Sequence, residues 1–318
     1  YYQLSIMDLQ ALAWHASANA PGPEEQGSAY WCADEAIGPD GGYLDEWMQY
    51  LDTPAISVGD NAMLTADLKW ALEGYAGAVV AGTCTDGWDA ANVRISTDGG
   101  TTWELLSDPN LPYEFDCGYG WIYNDGEYDT GGSLNHVAAG WGSTNPIGFG
   151  QPQDSYSDFS VDLSSYAGEN VIVRFAFGSD PAFSVFDDAG MTGFQVDNIT
   201  IESADGVLYG DDCDSSVNAN TMIPSGEVWE SMFYDYCDET RPGGNGWEQY
   251  VPGFAFNGNV LHDISHLAGK DILVKFTTRY DSDDDGGAGA GIYIDDFVIY
   301  KEAGLAGPGD LMAEAGNG

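Results

Sequence analysis

Apolar and polar residues alternate in short runs along most of this chain: NVRIS at 92–96, VIVRFAF at 171–177, FQVDNITI at 194–201, DILVKF at 271–276 and IYIDDFVIY at 292–300. A period of two places the apolar set on one face of an extended strand. Clusters of Gly, Asp, Asn and Pro break these runs at short intervals, and strands punctuated in this way predict an all-β fold of antiparallel β-sandwich type. One stretch, MDLQALAWHA at 7–16, reads instead as a helix.

The pattern also repeats. VDLSSYAGENVIVRFAFGSD at 161–180 returns as LHDISHLAGKDILVKFTTRYD at 261–281, with Asp162, Leu163, Ala167, Gly168, Val173 and Phe175 answered by Asp263, Ile264, Ala268, Gly269, Val274 and Phe276. Each copy closes on a similar strand, GFQVDNITI at 193–201 and GIYIDDFVIY at 291–300. Two copies of one β-rich unit predict two tandem sandwiches, residues 30–203 and 204–301, with an N-terminal segment at 1–29 and a tail at 302–318. The second copy is short, because nothing in 204–318 matches residues 30–80. A sandwich without its opening strands leaves a sheet edge open. The segment YYQLSIM alternates Tyr2, Leu4 and Ile6 against Tyr1, Gln3 and Ser5, so it is the expected donor strand, either to the second domain or to a neighbouring molecule. A second domain that is simply a smaller sandwich is the alternative.

Composition narrows the setting. The 318 residues include 52 acidic and 8 basic ones, a formal charge of −44. Such a surface repels polyphosphate and anionic membranes, which argues against nucleic-acid binding. Self-repulsion of this size calls for high ionic strength or bound cations, as in a marine, saline or calcium-rich exterior. No apolar run approaches the roughly 20 residues needed to span a bilayer. The start at Tyr1 is that of a mature secreted chain or of an arbitrary boundary. Placed on the repeat, the five cysteines predict disulfides Cys84–Cys117 and Cys213–Cys237, leaving Cys32 as a buried thiol or an intermolecular link.

The ordered set YWCADE, GGYLDEWMQYLDTPAISV, LKWALEGY, WDAANVRISTDGGTTWELL, DLSSYAGENVIVRFAFGSD and GFQVDNITI resembles the jelly-roll domains of the MAM and immune-inhibitor-A-like group of secreted bacterial proteins. The resemblance covers 30–203 and the later half of 204–301. It implies two-sheet antiparallel jelly rolls, often with structural calcium, and says little about activity because such domains accompany peptidases, adhesins and surface proteins alike. Within it, STDGGTTW at 96–103 looks like an Asp-box hairpin, in which Asp98 bonds turn amides, Gly99 and Gly100 supply positive φ and Trp103 folds back onto the core; IPSGEVW at 223–229 is its degraded second copy.

Calcium takes six to eight hard oxygens. The expected ligands are Asp34, Glu35, Asp89 and Asp197 in the first copy and Asp283, Asp284 and Asp295 in the second. Asp197 and Asp295 stand out because each interrupts an apolar strand, where an unpaired carboxylate is costly. The competing reading is carboxylates bonded to backbone amides. DSDDDGGAGAG at 281–291 lacks the flanking helices and twelfth-position Glu of an EF-hand. No HExxH zinc motif is present, and HDISH, with His262 and His266, has no Glu. No nucleophile elbow, Walker loop or dinucleotide fingerprint occurs. Tyr119, Trp121 and Tyr123 share one face of an extended strand and form either a glycan-stacking platform or core. These features point to a secreted, non-catalytic extracellular structural or adhesive protein, a calcium-stabilised filament subunit that self-associates through Tyr2, Leu4 and Ile6. The alternative is a carbohydrate-binding region of a larger secreted enzyme.

Overall fold

The computed structural model describes residues 2–74, 86–87, 89–114, 117–118, 148–150, 152–153, 155–179, 183–216, 218–235, 263–278, 294 and 297–301. The chain separates into two compact units, Tyr1–Gly287 and Ala288–Gly318. The second unit contains the whole of the predicted closing strand at 291–300, whose described residues lie outside any strand.

The first unit is all-β, built of antiparallel sheets that pack against one another. One six-stranded sheet consists of β2 (Trp14–Ser17), β3 (Ala29–Cys32), β6 (Met63–Ala71), β11 (Ser157–Asp162), β13 (Gly193–Ser203) and β14 (Gly206–Asp211). It runs β11-β6-β13-β3-β2, with β14 paired to the later half of β13. The facing sheet runs β15-β4-β12-β8-β9, with β5 also on β12. Its strands are β4 (Met48–Asp52), β5 (Ile56–Ser57), β8 (Ala90–Ser96), β9 (Glu104–Leu105), β12 (Asn170–Gly178) and β15 (Ile223–Glu227). A two-residue parallel pair joins β7 (Asp86–Gly87) to β10 (Cys117–Gly118).

The alternation read from sequence builds the core. Leu64, Leu68, Phe159, Phe194, Val196, Ile199 and Ile201 from the first sheet meet Leu51, Val93, Val171, Val173, Phe175 and Phe177 from the second, all buried. Burial of each such side chain contributes about 1.5–3 kcal/mol.

Two expectations are corrected here. The first sandwich does not end at 203, because β14 and β15 complete its sheets. IPSGE reads as turn because it holds Pro and Gly, yet both suit an edge strand, where a missing amide goes unused. Gly226 has φ +129°, and a Cβ there would lie 2.0 Å from the Met48 carbonyl oxygen. The helix expected at 7–16 is also absent: strand β1 (Tyr2–Asp8) ends in a turn, and β2 begins at Trp14. Ala13 and Trp14 are buried, and the Ala13 amide donates to Gln49 Oε1 at 2.9 Å.

The third sheet contains the second copy of the repeat. The 3-10 turn Ser164–Tyr166 before β12 is reproduced by Ser265–Leu267 before β17 (Ile272–Thr278). Asp162 Oδ1 accepts the Ser164 amide at 2.8 Å, and Asp263 Oδ1 accepts that of Ser265 at 2.9 Å. Gly168 and Gly269 take φ of +87° and +84°. Beside β17 lies β1, and beyond β1 lies β16 (Trp229–Asp235), in the order β16-β1-β17. The N-terminal strand therefore fills the slot next to the second repeat, within the same chain, antiparallel to both neighbours.

Candidate functional site

The slot is built around one carboxylate. Tyr2, Leu4 and Ile6 pair with Thr278, Phe276 and Val274 on β17 and with Asp235, Phe233 and Glu230 on β16. Ile6 is buried as expected from the alternation, and so is Ser5 on the opposite face. Ser5 is covered because the first sandwich presents Glu46 to it: Glu46 Oε2 accepts the Ser5 hydroxyl at 2.9 Å and lies 3.2 Å from Lys275 Nζ. That ammonium sits 3.9 Å from the centre of the Trp229 ring. Glu46 is 4% exposed, takes φ +62°, and has no hydrogen-bond partner for its buried Oε1. Trp47 Nε1 donates to the Trp229 carbonyl at 3.1 Å, and Gln49 Nε2 to that of Glu227 at 2.8 Å. Lys270 pairs with Asp8 at 3.0 Å at the far end of β1. Glu46 and Trp47 thus join the first sandwich to the third sheet.

A second concentration of charge forms around Tyr43. Its hydroxyl donates to Asp89 Oδ2, and its oxygen accepts the Glu73 amide at 3.0 Å. Asp45 Oδ1 and Glu73 Oε2 are buried without a hydrogen-bond partner. Burial, followed by the charge of Asp187, pushes the Asp45 carboxyl up to about 7. Burial and the carboxylates of Asp89, Asp45 and Asp187 also raise Glu73.

Asp197 occupies a third acidic place. It is paired across the sheet with Asp67 and lies next to an irregularity of β13 where Asn198 takes φ +50°. Its Oδ1 accepts the Asn198 amide at 2.7 Å. Its Oδ2 would lie 2.2 Å from a Cβ on Gly22, which in turn would be 3.0 Å from the Gln26 carbonyl oxygen. Burial is the main cause that moves Asp197 up to about 7, and the charges of Asp67, Asp214 and Asp212 add to it.

Of the expected ligands, Asp89 and Asp197 are buried, at 0% and 5% exposure, in different acidic groups. Asp34 is exposed and caps a turn through the Ala36 amide at 2.8 Å. Glu35 bonds Ser17 and faces His15 at 3.6 Å, and the Ser17 hydroxyl lowers its pKa. Both are engaged in local bonds. Asp283, Asp284 and Asp295 lie outside the described residues, as do Tyr119, Trp121, Tyr123, Cys84 and Cys237. Among the described residues, no three His, Cys, Asp or Glu side chains converge closely enough to hold a metal ion as they stand. The orphaned oxygens of Asp45 and Glu73, the Tyr43–Asp89 pair and the Asp197–Gln26 oxygens are nevertheless hard donors of the kind calcium takes. Asp45, Glu73 and Asp187 were not legible as a group, because they come from three distant loops in a chain with 52 acids.

Cys32 is a buried free thiol, one of the two expected outcomes. Cys213 is free as well among the described residues, and its expected partner Cys237 lies outside them. Cys213 belongs to the core of the first sandwich, because the strands on either side of it, β14 and β15, belong there too. His266 lies on a 3-10 turn and bonds Glu230 at 2.8 Å. The hairpin turn expected at 96–103 forms, Asp98 Oδ1 accepting the Thr101 and Thr102 amides at 3.0 and 2.9 Å. Its Trp103 does not enter the core: it stacks 3.7 Å from Arg174, whose other aromatic neighbour is Tyr50 at 4.1 Å. Asp52 holds that guanidinium with two bonds of 2.7 and 2.8 Å.

No family model matches the chain, and no curated protein is significantly similar to it.

Proposed function

We propose that this chain is a non-catalytic extracellular structural or adhesive protein that self-associates through its N-terminal strand and is stabilised by calcium. The observation that carries the reading is the position of β1 as the central strand of a sheet whose other members come from the second repeat. A strand bound in this way is separable from its sheet and can be supplied by another chain, which joins copies head to tail without closing a ring. Calcium enters because buried carboxylates without partners are costly, and a divalent cation relieves that cost where a salt bridge does not. Asp45, Glu73, Asp89 and Asp187 would hold one such ion, and Asp197 with the Gln26 carbonyl would contribute to another. The charge of −44 fits the same saline or calcium-rich exterior.

The test is light scattering on the purified chain, with and without millimolar calcium, and after removal of residues 1–10. Assemblies that disappear with the truncation support the reading. Single-chain mass under every condition sinks it.

A further inference from the structure

We propose that the slot between β16 and β17 is a docking site for the N-terminal strand of a second copy of this chain, and that Glu46 is the residue that recognises the incoming strand. The inference rests on the assembly reading and names its seat. Everything β1 needs is presented by the rest of the chain: the edges of β16 and β17 and the buried Glu46 oxygen that takes the Ser5 hydroxyl. Register is fixed from two sides. The pairing with β16 shifts between Leu4 and Ser5, and Ser5 sits opposite Lys275, the ammonium that shares Glu46. A strand entering one residue out of register would put Leu4 or Ile6 against a buried carboxylate.

The link from β1 to β2 points to a second copy as the occupant. Residues 8–11 form a tight turn, with the Gln10 amide on Asp8 Oδ1 and the Ala11 amide on the Asp8 carbonyl. Around it Leu9 is 56% exposed, Leu12 46% and Leu273 47%. Large apolar side chains at a short link stand in water while the strand folds back on its own chain. They become covered when the link straightens and carries β1 across to the next copy, the geometry of head-to-tail strand donation.

The experiment uses full-length chains. One carries Met7→Cys and the other Leu273→Cys, positions that are opposed in the β1–β17 pairing. After mixing under mild oxidation, the expected product is a covalent dimer that requires both new cysteines, with wild-type mixtures as the control for the native thiols. A bond that forms only when both cysteines are on one chain overturns the seat. For recognition, adding Ser5→Ala to the Met7→Cys chain, or Glu46→Gln to the other, should lower the dimer yield at least tenfold; unchanged yield with both overturns the role of Glu46. Large assemblies in light scattering without the cross-link would leave self-association standing and remove the seat. Single-chain mass together with no cross-link would remove both.

Discussion

Asp211 is 1% exposed, and its two oxygens accept the hydroxyls of Tyr30 and Tyr209 and the amides of Cys213, Asn220 and Thr221. Asp45 and Glu73 are also largely buried but each leaves one oxygen without a donor. The first arrangement holds the 211–221 loop, so Asp211→Asn, which replaces one acceptor oxygen with an NH2 donor facing other donors, should cost about 3 kcal/mol in urea unfolding, the scale of one or two charged hydrogen bonds. The second arrangement ties stability to pH. A carboxyl raised in the folded state keeps its proton there while the unfolded chain has lost it, so stability is full below the unfolded pKa of about 4 and declines as pH rises toward the folded value. With Asp45 and Asp197 at about 7, the urea midpoint in chelator should fall between pH 5 and pH 8. Millimolar calcium should abolish most of that fall by replacing the protons, and a midpoint indifferent to calcium at pH 8 would remove the cation from these sites. Asp98 runs the other way: the Thr102 amide leads the bonds that hold it down to about 2, so its contribution is present at neutral pH and lost only in strong acid.

At the level of elements, the repeat was the most legible part of the fold, since Asp162 and Asp263 cap identical turns and the strands after them share Val and Phe at the same places. The spare alternation of residues 2–8 was legible too, although sequence left open which sheet received it. What escaped was β15, because Pro224 and Gly226 are turn residues everywhere except at a sheet edge, and β2, whose buried Trp14 lies in a run with helical spacing. Gly226→Ala should destabilise the chain by about 1–3 kcal/mol, the scale of a strained backbone position, because the added methyl meets the β4 backbone. Ile6→Asp tests β1 itself. It places a charge in the middle of the third sheet and should expose β16 and β17 amides to hydrogen exchange while leaving β6, β12 and β13 protected. Equal protection of both regions would mean that β1 is dispensable to its sheet.

For the whole molecule, the excess of 52 acids over 8 bases predicts a thermal midpoint that climbs gradually from low to molar sodium chloride as self-repulsion is screened. Calcium should act in a different way, saturating at millimolar concentration and adding to the salt effect. A calcium response that merely tracks ionic strength would assign the acidity to salt adaptation alone. The acidic groups themselves were illegible in advance, since each gathers residues from separate loops and only folding brings Asp45, Glu73, Asp89 and Asp187 within each other's field. The placement of β1 has a final consequence in time. Tyr2 pairs with Thr278 and Met7 with Trp229, so a strand that leaves the ribosome early must wait for partners made much later. Throughout synthesis it travels as an unmatched strand, and in a crowd of nascent chains the first complete slot it meets need not be its own.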